Sequence, residues 1–222
     1  MNNEPKTKRQ HTLKVTEIYR SIQGESLFAG LPCVFIRLTG CNLRCSWCDS
    51  SFSFHGGTLY VLPRIMEDLK NFKTPLIALT GGEPLLQPGS HELINSMILE
   101  GYTVVLETNG SVSIEHVNPA VHIVMDLKCP ASEEHQNNLL ENVQYLKRSD
   151  EIKFVVCNRS DFIWAENIIK KLSLEDRVKI LFSCVYEQLA ADILAAWILD
   201  SGMQVRMQLQ MHKHIWGNMR GV

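Results

Sequence analysis

A series of short apolar segments, most without polar alternation, constrains this chain more than any other feature. They lie at Cys33–Thr39, Leu76–Thr80, Thr103–Glu107, His122–Asp126, Ile152–Val156 and Val178–Phe182, with a last one at Gln204–Gln208. Most are rich in Val, Ile and Leu. A strand with one wet face alternates polar and apolar residues, so these segments read as parallel strands buried on both faces. Helical patterns fill the gaps. Pro63 suits a first helical turn, with Ile65, Leu69 and Phe72 on one face. Ser90 can cap a helix carrying Leu93, Ile94 and Met97, with Gly101 past its end. Ser132, followed by Glu133 and Glu134, can cap another. Ser160 begins a helix bearing Trp164 and Ile168, and Leu189, Ile193 and Trp197 mark the last at i, i+4 and i+8. Strand–helix units in series imply a parallel sheet with right-handed crossovers. A closed eight-fold barrel takes about 250 residues, and this chain has 222. The expected fold is α/β, a partial, open parallel barrel of about six βα units. It forms a single domain over residues 13–222, behind a polar, frayed segment at 1–12.

Charge narrows the function. The 22 basic and 24 acidic residues leave a formal net charge of -2, which gives no reason to expect a nucleic-acid partner. No run of 18 apolar residues exists, so no membrane span is expected. The N-terminal residues lack the apolar stretch of a secretory signal. The expected compartment is the cytoplasm, where thiols stay reduced.

Seven cysteines are an odd number and argue against a disulfide framework. Cys33, Cys129, Cys157 and Cys184 sit in or beside apolar stretches and read as small buried hydrophobes. Cys41, Cys45 and Cys48 crowd together in TGCNLRCSWCDS, and this density points to metal. Zinc would want a fourth ligand, for which His55 or His212 could serve. Three thiolates without a fourth suit an iron–sulfur cubane with one iron left open to a chelating molecule.

A second element is Thr80-Gly81-Gly82-Glu83-Pro84, directly after the apolar run Leu76–Leu79. Glycines let a backbone approach a ligand closely, and the proline stops the strand. Further polar residues end the candidate strands, where a parallel barrel places its sites. They are Thr39 and Gly40, then Glu107, Thr108 and Asn109, then Asp126 and Lys128. Arg37 and Lys153 put charges inside apolar strands, which is costly unless each is paired.

The trio Cys41-x3-Cys45-x2-Cys48, with Trp47 before its last cysteine and the Gly-Gly-Glu turn downstream, resembles the radical S-adenosylmethionine (AdoMet) superfamily. The wider pattern resembles the family of 7-carboxy-7-deazaguanine synthases, in nearly the whole chain. It comprises Gln23-Gly24-Glu25-Ser26 (Ser where the family has Gly), Phe35–Cys41 read as FIRLTGC, Cys48-Asp49-Ser50, DLKCP, DEIKFVV, and Gln208–Lys213.

The resemblance implies a lyase of queuosine and 7-deazapurine biosynthesis, converting 6-carboxy-5,6,7,8-tetrahydropterin to 7-carboxy-7-deazaguanine with loss of ammonia. A 5′-deoxyadenosyl radical would abstract hydrogen from C6, and the ring would contract. It implies a 4Fe–4S cluster on Cys41, Cys45 and Cys48, and Mg²⁺ on Ser50. AdoMet would meet Trp47, Cys48, Asp49, Gly81, Gly82, Glu83, Asp126, Leu127, Lys128 and Ser183. The pterin would meet Ile22, Gln23, Gly24, Glu25, Thr80 and His212, with Arg37 on its carboxylate. The implied partners are an electron donor such as flavodoxin or ferredoxin, and a second copy in a homodimer. Two rivals share parts of the pattern: a glycyl-radical activating enzyme, which has no call for the Gln-Gly-Glu segment or Arg37, and a non-catalytic metal-binding or electron-transfer module.

Overall fold

The computed structural model describes residues 12–217 and 219–222. Of the frayed segment expected at 1–12, residues 1–11 lie outside the described residues. Nine strands form one sheet: β1 (Thr12–Ile22), β2 (Pro32–Leu38), β3 (Thr58–Val61), β4 (Leu76–Gly81), β5 (Thr103–Thr108), β6 (His122–Asp126), β7 (Glu151–Val156), β8 (Lys179–Cys184) and β9 (Arg206–Gln208). Their order is β3-β1-β2-β4-β5-β6-β7-β8-β9, and β2 onward is parallel throughout. The sheet does not close, so the open partial barrel is borne out. Only β1 breaks direction: it pairs antiparallel with β2 on one side and with β3 on the other.

β1 and β3 are additions to the expected strands. β1 carries Thr, Lys, Glu, Tyr, Arg and Ser among its apolar residues, so it lacks the continuous apolar run that marks its neighbours.

The helices are α1 (Leu62–Phe72), α2 (Gly89–Leu99), α3 (Arg159–Leu172), α4 (Ala191–Ser201) and α5 (Met211–Trp216). The first four bury their apolar stripes on the side of the sheet that carries Ile36, Ile77, Leu106 and Phe154. The opposite face carries Cys33, Phe35, Leu76, Ala78, Val105 and Val124, packed against Tyr19 and Phe28. Strands with a face in each cluster have no room for polar alternation, which is why they were legible as apolar runs.

Four local expectations are corrected. Ser90 is not a cap: it lies inside α2, buried, and its hydroxyl donates to the Pro84 carbonyl at 2.5 Å. The cap of α3 is Asn158, whose side chain accepts from the Asp161 N–H at 3.0 Å, with Ser160 already in the first turn. On α4 the buried position is Leu194, while Ile193 is 43% exposed and Leu189 precedes the helix. No α-helix follows Ser132. Three short 3-10 turns, Pro130–Ser132, His135–Asn137 and Leu140–Tyr145, span that stretch. Side-chain amides explain the difference, because they offer the backbone partners other than its own helix. Asn138 accepts from the Lys128 N–H and donates to the Lys128 carbonyl, and Asn142 donates to the carbonyls of Gly110 and Val112.

Candidate functional site

The C-terminal ends of β2 and β4–β8 open into a cleft of about 680 Å³. The order of its walls follows from the sheet. β1, β2 and β4 bring Glu17, Tyr19, Arg37 and Thr80, β5 brings Glu107, β6 Asp126, and β7 Lys153 and Val155. The cysteine loop, residues 185–188 after β8, and Gln210, His212, Lys213, Trp216, Gly217 and residues 219–222 supply more of the rim.

The turn after β1 is buried in its first part, at Gln23, Gly24 and Ser26, and comes to the surface at Leu27 and at residues 29–31. Gln23 accepts from the Gly30 N–H and donates to the Leu31 carbonyl through its backbone, both at 2.8 Å, and its amide donates to Glu107 at 3.1 Å. Ser26 sits in the left-handed region at φ 67°. Gln208 clamps it, accepting from its N–H at 3.0 Å and donating to its carbonyl at 2.8 Å. Leu27 donates its N–H to Glu151, which is fully buried and also meets His122 Nε2 at 2.5 Å. Between these anchors Glu25 faces the cleft, with Lys153 Nζ 3.6 Å away.

Cys41, Cys45 and Cys48 are free thiols, and all three line the cleft. Their loop is held by backbone bonds: Gly40 N–H donates to Ser53, Cys48 N–H to Cys45, and Ser46 N–H to Ser132. Arg44 N–H donates to Glu134. The 3-10 turns after β6 therefore buttress the cysteine loop. The thiols fit an iron–sulfur cluster. Among the described residues no three His, Cys, Asp or Glu side chains gather closely enough for a single ion, whereas a cubane takes each thiolate on a separate iron. Two N–H groups point at one of these sulfurs: Leu43 N–H at 3.4 Å and Asn109 Nδ2 at 3.7 Å from Cys41 Sγ. His55, one of two candidate fourth zinc ligands, is exposed and lies outside the cleft, while His212 lines it.

Glycine is required in the next turn. Gly81 has φ 150°, and a Cβ on Gly82 would collide with the Gly40 carbonyl and stand 2.6 Å from Cys41 Cβ. The two turns touch backbone to backbone, with Glu83 N–H donating to Gly40 at 2.8 Å.

Ile22, Gln23, Glu25, Arg37, Trp47, Asp49, Ser50, Thr80, Gly81, Gly82, Asp126, Lys128 and His212 all line the cleft beside the cysteines. Gly24, Glu83, Leu127 and Ser183 do not. Gly24 is covered by His212, whose backbone N would stand 3.0 Å from an added Cβ. Leu127 and Ser183 are buried. Glu83 has no exposed surface, and its carboxylate accepts from Leu85 N–H, Asn109 N–H and the Thr108 hydroxyl. Its side chain is a strut between the turns after β4 and β5 and is not positioned to meet an amine in the cleft. Burial pushes its carboxyl pKa up, against those three donors and Lys128.

Charge pairing organises the walls. Arg37 Nε donates to Glu17 at 2.8 Å and its NH2 to Tyr19 at 3.2 Å, which leaves guanidinium donors for a ligand. Asp126 meets Lys128 at 2.5 Å and Lys153 at 3.4 Å. Burial opposes its ionisation, but the two ammonium groups win and hold its carboxyl below the usual range. Ser50 Oγ lies 3.8 Å from Cys48 Sγ. Glu17 and Tyr19 are two further residues of the cleft wall that no motif marks. Their signal was the two-residue period of 17, 19 and 21 on one face of an unrecognised strand.

Residues 35–126 match the radical SAM superfamily model. The 7-carboxy-7-deazaguanine synthase of Chlorobaculum tepidum is 39% identical over 214 residues, covering 95% of this chain and 97% of that one. The enzyme of the same name from Thermoplasma acidophilum is 36% identical, covering 94% and 99%. The crystal structure of QueE from Escherichia coli shares the fold at a TM-score of 0.76 and 18% identity, over 90% of this chain and 95% of that chain. With its three free cysteines and the Gln-Gly-Glu turn facing one cleft of an open barrel, the chain belongs to the 7-carboxy-7-deazaguanine synthase family of radical SAM enzymes.

Proposed function

We propose that the cleft holds a 4Fe–4S cluster on Cys41, Cys45 and Cys48, AdoMet beside it, and 6-carboxy-5,6,7,8-tetrahydropterin on the floor, which becomes 7-carboxy-7-deazaguanine with loss of ammonia. The observation that carries this reading is that the cysteine trio and the polar floor open into the same cavity. When bound, the reduced cluster and AdoMet supply a carbon radical able to take a hydrogen from C6 of the pterin.

The chain's own residues bind, orient and exclude water. Gly81 and Gly82 let the backbone approach AdoMet, Trp47 gives the adenine an apolar surface, and Asp126 with Lys128 forms the polar wall beside it. Glu25 accepts from the amino–imino edge of the pterin. Arg37, steadied by Glu17 and Tyr19, turns its remaining donors to the substrate carboxylate, and Thr80 and His212 complete the ring of contacts. Burial lowers the pKa of His212, so at neutral pH its ring is uncharged and offers one donor and one acceptor. Ser50 offers one hydroxyl oxygen to Mg²⁺, which also takes water and substrate oxygens. Holding the substrate against the reacting carbon is the protein's part in such chemistry. Among the described residues no helix is long and apolar enough to cross a membrane. A cytoplasmic homodimer reduced by flavodoxin or ferredoxin completes the proposal.

The test is anaerobic turnover by reconstituted, reduced protein with AdoMet and carboxytetrahydropterin. The deazaguanine product should appear by mass. Cleavage of AdoMet without that product would sink the assignment of substrate, and a protein that takes up no iron would sink the whole reading.

A further inference from the structure

Lys153 is the charge that the site as described leaves without a task. It stands in β7 between the buried Ile152 and Phe154, and its side chain is 15% exposed. An ammonium there is costly to desolvate unless acids surround it. Its Nζ lies 3.6 Å from Glu25 Oε1 and 3.4 Å from Asp126 Oδ1. The backbone fixes this geometry, because Asp126 and Lys153 are register partners and Leu127 N–H donates to the Lys153 carbonyl at 2.9 Å. One carboxylate belongs to the floor where the pterin rests, the other to the wall beside AdoMet.

Glu25 is the dependent member. Its Oε1 is buried and has no hydrogen-bond partner among the described residues. Burial pushes its carboxyl up, Glu107, Asp49 and Asp126 push the same way, and Lys153 is the cation that opposes them. His212, from α5, packs over the neighbouring Gly24. A protonated Glu25 would present a hydroxyl donor to the donor edge of the pterin and lose the contact.

Resting on the proposed substrate, we propose that Lys153 is a positioning residue for the pterin: bridging Glu25 and Asp126, it keeps the floor carboxylate ionised and aimed at the amino–imino edge. It touches neither reacting atom. It acts through Glu25.

The test is equilibrium dialysis of carboxytetrahydropterin against the anaerobic, cluster- and AdoMet-loaded enzyme, across about pH 5.5 to 9. In the wild type, affinity rises with pH through a midpoint set by Glu25. Lys153→Met should move that midpoint up by at least about one unit, since an opposite charge at this range shifts a carboxyl by about 1–3. Lys153→Arg should restore it. Glu25→Gln should abolish it, alone or combined with Lys153→Met. Should Lys153→Met not fold, Lys153→Gln reads the same midpoint. Weaker binding by an equal factor at every pH would make Lys153 a packing residue and overturn the proposal. A midpoint that still moves in the Glu25→Gln background would overturn it too, as would an unmoved midpoint. A wild type that binds no pterin at any pH would instead overturn the substrate assignment, and this proposal with it.

Discussion

Replacing Glu83 with Gln separates a strut from a ligand. The Glu83 carboxylate has two oxygens and faces three donors. Oε1 takes Leu85 N–H at 2.9 Å, Oε2 takes Asn109 N–H at 2.7 Å, and the Thr108 hydroxyl reaches both at 3.0 and 2.9 Å. Glutamine keeps one of these oxygens. Its NH2 must then face Leu85 N–H or Asn109 N–H, and that backbone donor is orphaned in a site without solvent. An unsatisfied buried donor costs about 1–3 kcal/mol, and the surviving bonds lose their charge assistance. Removing a buried charge returns part of this, because burial disfavours the ionised form. The expected loss is about 3 kcal/mol. For a chain of this size each kcal/mol moves Tm by roughly 2–4 °C, so the variant should melt roughly 6–12 °C below wild type. The assay is anaerobic thermal unfolding by far-UV circular dichroism, beside AdoMet affinity at a temperature where both proteins are folded. If the melting temperature is unchanged and AdoMet affinity falls, the carboxylate reaches the cofactor and the strut argument is wrong.

Two further outcomes follow from neighbouring contacts. Gly82→Ala drives a Cβ into the Gly40 carbonyl and against Cys41, an overpacking worth about 1–3 kcal/mol that the cysteine loop must absorb by moving. Iron per chain after anaerobic reconstitution should drop, and a full complement at an unchanged Tm would refute the contact. His212 is held below the ordinary histidine range, chiefly by burial, with Lys213 and Lys153 adding to it and Asp49 and Glu107 opposing it. The unfolded chain then binds the proton first, so stability should fall as pH drops below about 6.5 toward the depressed value. His212→Gln should flatten that slope in urea midpoints measured against pH, and an identical slope would show that another group carries it.

The parallel strands and the cysteine trio were legible because each rests on a local pattern, an apolar run between helices or thiols at close spacing. What escaped was non-local. β1 could not be recognised from its own residues, because its burial comes from pairing with β2 and β3 on opposite edges. Glu83 matched a motif whose spelling says nothing of direction. Only the approach of the Thr108–Asn109 turn, 25 and 26 residues later, shows that its side chain points inward. The caps went astray for a related reason. Ser90 and Ser132 have good capping chemistry, but each hydroxyl is committed to a turn carbonyl, of Pro84 and of Cys129.

The openness of the barrel and the placing of the floor have one physical cause. Parallel strands that stop short of closure leave an open interior, and the turn after β1 sends Gln23 and Glu25 into it. Where that turn is buried, at Gln23, Gly24 and Ser26, its backbone groups must be satisfied. Here Gln208 on β9 meets both backbone polar groups of Ser26, Glu151 on β7 takes Leu27 N–H, and Gly30 and Leu31 close on Gln23. The turn is thus tied to the far strands of the sheet, while its own strand lies at the near edge beside β3. That explains how serine is tolerated at a left-handed position: the backbone is clamped from two sides, and the Ser26 hydroxyl adds an acceptor for Phe28 N–H at 3.0 Å. It also means that the residues facing the substrate inherit their positions from contacts made at β7 and β9. Changes at Glu151 or Gln208 should therefore register in substrate affinity before they register at the cysteine loop.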